Sequence, residues 1–81
     1  MSEVETVKQR RLGRFGILGS DVNQDPATAF WLMEGMLVVR AEHMFARDMI
    51  EYTAYHEDFD PLPMGQEPPW YGRHNARWTR I

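Results

Sequence analysis

The densest group of side chains able to do chemistry is His56, Glu57, Asp58 and Asp60, one imidazole and three carboxylates in consecutive or near-consecutive positions. Carboxylates of this kind suit hard cations such as magnesium or calcium. Adjacent residues on an extended chain point to opposite sides, so only some of the four could converge on one ion. A solvated acidic turn, able to receive an arginine, explains the same residues with fewer demands. Asp21, Asn23 and Asp25 imitate the opening of a calcium loop, which then needs glycine at its sixth position and glutamate at its twelfth. Pro26 and Leu32 stand there, so that reading fails. His43 and His74 have no ligand partner at a recognisable spacing.

Material for nucleophilic catalysis is scarce. The chain has no cysteine, and its serines are Ser2 and Ser20 alone. The glycines of Gly13-Arg14-Phe15-Gly16-Ile17-Leu18-Gly19 match neither a phosphate-binding loop nor a dinucleotide fingerprint. Nothing marks a general acid–base pair. The expectation is a protein that is not an enzyme, with no catalytic residue, cofactor or metal.

Arginine and aromatic residues form the strongest functional pattern. The first fourteen residues set Lys8, Arg10, Arg11 and Arg14 against Glu3 and Glu5, and the last nine carry Arg73, Arg77 and Arg80 with no acid. Residues 15–72 hold only Arg40 and Arg47 against ten acids, so two basic arms flank an acidic centre. Pro68, Pro69, Trp70 and Tyr71 spell P-P-x-Y, which WW domains bind because the segment is already extended. Four residues match easily by chance, and a proline-stiffened arm whose rings cover apolar surface is the plainer reading. The acidic centre repels a phosphate backbone, which disfavours nucleic acid as the partner. The acidic body of a second copy fits basic arms better. The partner-binding set is therefore Arg10, Arg11, Arg14, Pro68, Pro69, Trp70, Tyr71, Arg73, Arg77, Trp78 and Arg80. In this scheme Trp70, Tyr71 and Trp78 anchor an exchanged arm, the arginines meet acids such as Asp58 and Asp60 of a neighbour, and removal of residues 68–81 lowers the assembly state.

The elements that must carry these groups are short. At 81 residues the chain is a single small domain, which buries only roughly 60–65% of its unfolded surface and gains from association. Its 43% hydrophobic content argues against wholesale disorder. Apolar runs such as Met36-Leu37-Val38-Val39 are too short to span a bilayer, and the first residues are polar, so the expectation is no membrane and no cleaved signal.

Residues 1–20 read as a basic helix, capped by Ser2 with Glu5 and stopped by Gly13, followed by a glycine-rich connection. Asp25-Pro26 starts a second helix over about 26–34. Beyond it, Met33, Leu37, Ala41 and Met44 would let a helix continue to about Tyr55. The alternation in Leu37, Val39 and Ala41 and in Ile50, Tyr52 and Ala54 favours a β-hairpin over about 36–56. Residues 21–60 thus form the α/β-hairpin core, with Phe30, Met33, Leu37, Val39, Ile50 and Tyr52 inside and Trp31 partly covered. Pro61, Pro63, Pro68 and Pro69 turn residues 61–81 into a proline-rich, extended C-terminal arm. The fold class is α+β.

Phe59-Asp60-x-Leu62, then Gly65, Pro69 and Tyr71, preceded by an apolar hairpin, resembles a pattern in small bacteriophage-encoded proteins. The resemblance covers about half of the chain and implies no catalytic residue. It implies an accessory, virion or host-directed inhibitor protein, cytoplasmic in a bacterial host or part of a virion. The function expected is non-catalytic protein–protein association as one copy of a homo-oligomer or larger complex. The rival classes are an inhibitor that sequesters a macromolecule or small anion through the arginines, and a nucleic-acid accessory protein.

Overall fold

A computed structural model describes residues 3–81. The elements are α1 (Glu3–Lys8), β1 (Leu12–Leu18), α2 (Gly19–Gln24), α3 (Pro26–Leu32), β2 (Leu37–Met44), β3 (Met49–Tyr55), β4 (Tyr71–His74) and β5 (Arg77–Arg80). The α+β class, the second helix and the hairpin are as the sequence indicates. The proposed Ser2 cap lies outside the described residues.

The first helix ends earlier than expected. Arg10 turns left-handed at φ 55°, and Arg11 and Arg10 donate backwards to the carbonyls of Thr6 and Val7 at 3.0 and 2.9 Å. This is a Schellman closure with arginine where glycine is usual. Gly13 is therefore not the stop, and the glycine-rich segment is not a connection but β1. It pairs antiparallel with β3 from Leu12↔Tyr55 to Leu18↔Met49. Its glycines make room, because a Cβ on Gly13 would fall 2.6 Å from the ring of Tyr71 and 2.9 Å from that of Phe59.

Asp25 caps α3 as expected, accepting from the Thr28 amide at 3.3 Å and its hydroxyl at 2.7 Å. These bonds hold the Asp25 carboxyl below its ordinary value. Gly35, at φ 78°, turns the chain into β2, which runs antiparallel to β3 with a bulge at Val39. The sheet order is β1-β3-β2, with β3 central.

The C-terminal segment is not an extended arm. Its prolines run along the outer edge of β1, where Arg14 N–H donates to the Pro69 carbonyl at 2.9 Å, and Leu62 N–H to that of Arg10 at 2.9 Å. Proline suits such an edge because it need not donate on both sides. Residues 71–80 then form the β4–β5 hairpin, with register Tyr71↔Arg80 to His74↔Arg77. Asn75 and Ala76 both take positive φ (51° and 63°), the twist of a two-residue type I′ turn.

The core is also relocated. Phe15, Ile17, Tyr52, Ala54, Phe59, Tyr71 and Trp78 are buried together. Phe15 stacks on Tyr52 at 5.4 Å and meets Trp78 at 4.6 Å, while Phe59 stacks on Tyr71 at 4.3 Å. Of the residues expected inside, only Tyr52 is buried, at 9% exposure. Met33 and Ile50 are partly buried, whereas Phe30, Trp31, Leu37 and Val39 are exposed at 67, 59, 39 and 53%. The covering elements lie over β1 and β3 and leave β2 bare.

Candidate functional site: an open sheet edge and the adjoining cleft

At the start of β2 the chain forms a cleft of about 910 Å³, lined by Trp31, Gly35, Met36, His56, Asp58, Arg73, Arg77 and Trp78 among others. Asp58 organises its floor. Its carboxylate accepts the Trp78 amide N–H at 3.3 Å and Arg77 Nη2 at 3.2 Å. Its own amide donates to His56 Nδ1 at 3.0 Å. A ring nitrogen that accepts carries no proton, so His56 sits as the neutral tautomer protonated at Nε2. Burial pushes the His56 pKa below its ordinary 6.5, and Arg73 adds to this, while the Asp58 and Glu57 charges oppose it.

The Arg73 guanidinium lies over both tryptophans, 5.0 Å from the Trp31 ring and 5.7 Å from that of Trp78. The rings attract it through their quadrupoles. Among the described residues no carboxylate forms an ion pair with it, in contrast to Arg14, Arg40, Arg77 and Arg80. An anion entering the cleft would meet the Arg73 guanidinium, with Glu34, Glu57 and Asp58 also on the walls.

The partner-binding residues expected from the sequence come together in two clusters, both on their own chain. In the first, Arg14 Nε donates to the Pro68 carbonyl at 2.7 Å, lies 5.0 Å over Trp70 and reaches Glu51 at 3.7 Å. Arg11 Nη1 donates to the Phe59 carbonyl at 2.9 Å, and Arg10 Nη1 reaches Met64 Sδ at 3.1 Å. In the second, Arg77 meets Asp58, and Arg80 meets Asp60 at 4.0 Å. Asp60, paired with Arg80, also donates its amide to Tyr71 Oη at 2.8 Å. Tyr71 and Trp78 are 3 and 7% exposed, so the rings expected to anchor an exchanged arm lie in this chain's own core. A WW domain could take Tyr71 only by peeling the tail away. Among the described residues no three His, Asp or Glu side chains converge as metal ligands, and no helix is long and apolar enough to cross a membrane.

Sequence reasoning missed the β2 edge. Every residue from Leu37 to His43 is exposed, on both faces of the strand. Among the described residues no strand pairs with its outer side, whereas the corresponding side of β1 is bridged at Arg11↔Pro61 and Arg14↔Trp70. The apolar run Leu37-Val38-Val39 was the signal, but alternation assigned it to the core. Phe45, just beyond β2, is 82% exposed and packs against the His43 ring at 4.1 Å.

No known family model, curated protein or solved structure matches this chain.

Proposed function

We propose that this chain is a non-catalytic association protein, one copy in a symmetric or larger assembly, of the structural or accessory kind that small phage-type proteins represent, acting in a bacterial cytoplasm or in a virion. The observation that carries this reading is the outer edge of β2. Among the described residues the outer side of β2 has unpaired backbone donors and acceptors and an apolar start at Leu37-Val38-Val39, which makes it a template for another strand. The bulge at Val39 and the charges of Arg40 and Glu42 blunt it without covering it. Here the chain covers one sheet edge with its own prolines, and among the described residues no strand pairs with the other. The interface thus moves from the arginine–aromatic tail, which is engaged in cis, to β2.

A second reading draws support from Arg73. Its guanidinium lies over Trp31 and Trp78 beside the cleft without a carboxylate partner among the described residues, which leaves its donors to a small oxyanion such as a carboxylate or phosphate. That is the sequestering role in its most local form.

Light scattering over a range of concentrations, at low and high salt, tests the first reading. A multimer supports it. A monomer at every concentration overturns it and leaves the anion site to be tested by calorimetry with inorganic phosphate and acetate.

A further inference from the structure

We infer that the occupant of the β2 edge is the β2 edge of a second copy, paired antiparallel about a twofold axis at Ala41. This rests on the association reading above and fixes its geometry. A twofold that makes two strands antiparallel within one continuous sheet stands perpendicular to that sheet, so residues that oppose each other point to the same face. Side chains alternate along the strand, which puts Arg40 and Glu42 on one face and Ala41 and His43 on the other. Only axes that pass through a residue are therefore compatible with the regular part of β2.

Charge chooses among them. An axis at Arg40 sets arginine against arginine, and one at Glu42 sets glutamate against glutamate, both destabilising. An axis at His43 leaves little strand to pair, because β2 ends at Met44. An axis at Ala41 sets Arg40 of each copy opposite Glu42 of the other, twice over. Within one chain these two side chains already meet at 3.1 Å on one face, so their reach and orientation suit the exchange. The apolar ends agree. About Ala41, the bulge at Val39 sets Val38 opposite His43 of the second copy and Leu37 opposite its Met44. The exposed apolar start of one strand thus meets the half-buried Met44 at the end of the other. The β2 sequence is self-complementary about this single point, and the sheet continues across both copies.

Charge exchange tests the register. In R40E and in E42R, positions 40 and 42 carry like charges in both copies, so each variant alone should dimerise roughly tenfold or more weakly than wild type. Mixed in equal amounts, they should recover a dimer at wild-type concentration, because each opposes the other's charges although neither retains the bridge within its own chain. In parallel, A41C should form an intermolecular disulfide rapidly under mild oxidation, since directly opposed Cα atoms lie about 4.5–5.5 Å apart, within disulfide reach. A46C, on the exposed turn after β2, should not. A wild-type dimer whose variants fail to complement, and whose A41C oxidises no faster than A46C, overturns the register and leaves association standing. A wild-type monomer overturns both.

Discussion

The Asp58 carboxylate accepts the backbone N–H of Trp78 and so ties the loop after β3 to the terminal hairpin. The tie lies beside the rings it secures, because Trp78 rests on Phe15 at 4.6 Å and the Asp58 side chain is only 15% exposed. A half-sheltered carboxylate that satisfies a backbone donor contributes more than an exposed ion pair, since its removal leaves that donor without a partner. Asp58→Ala should therefore lower unfolding free energy by about 1–3 kcal/mol. Arg77→Ala removes only the exposed partner, at 73% side-chain exposure, and should cost below about 1 kcal/mol. Urea denaturation of the two variants checks the order. Equal losses would show that the ion pair, and not the backbone cap, holds the tail.

His56 gives the fold a dependence on pH. Burial is the main cause of its lowered pKa, and protonation of Nδ1 would also break the bond from the Asp58 amide. The unfolded chain takes up a proton as pH falls through the ordinary 6.5, before the folded chain does. Folding then competes with proton uptake, so this contribution is whole above the unfolded pKa and is lost as pH falls from there towards the folded value. His56→Asn keeps an acceptor for the Asp58 amide and removes the titration. Between neutral pH and about pH 5, above the main carboxylate range, wild type should lose more stability than the variant. Parallel curves in chemical denaturation would show that the ring does not titrate differently on folding.

Gly13 separates a flexible linker from a packed strand. In a linker, Gly13→Ala would be neutral or mildly stabilising, because alanine restricts the unfolded chain. In β1 the new methyl falls 2.6 Å from the Tyr71 ring and 2.9 Å from that of Phe59, and both rings are buried. Overpacking of this kind costs about 1–3 kcal/mol. A lowered thermal midpoint is the expected result. An unchanged or raised midpoint would mean that the rings yield.

The same residue shows where the sequence was legible. Asp25-Pro26 and the alternation around Met44-Phe45-Ala46-Arg47 are local signals, set by caps and strand period, and they placed α3 and the β2–β3 hairpin. Gly13 and Gly16 are defined by partners far along the chain, the rings of Tyr71 and Phe59 and the side chain of Met49, so alone they resemble a connection. Asn75-Ala76 lacks the glycine that usually announces a type I′ turn, so β4 and β5 were read as an arm. The core was misplaced for a related reason. Periodicity finds faces, but which face is covered depends on what packs there, and here that is Phe59, Tyr71 and Trp78 from the tail. Arginine near tryptophan was visible as a pattern, yet that Arg73 lies between Trp31 and Trp78 depends on the hairpin. The bare edge of β2 becomes visible only once the other strands are placed.

Removal of residues 68–81 distinguishes an interaction arm from a structural element. If the tail were an exchanged arm, the shortened chain would remain folded and fall to a lower assembly state. The structure gives a different expectation, because the deletion takes Tyr71 and Trp78 out of the core, the Pro69 carbonyl from Arg14 N–H and the Trp78 amide from Asp58. Losing a buried large aromatic side chain costs about 3–5 kcal/mol, and two of them match the whole stability of a small domain, about 5–15 kcal/mol. The truncated chain should lack a cooperative melt and near-ultraviolet circular dichroism, whatever its mass. A shortened chain that melts cooperatively as a monomer would return the interface to the tail and remove the grounds for assigning it to β2.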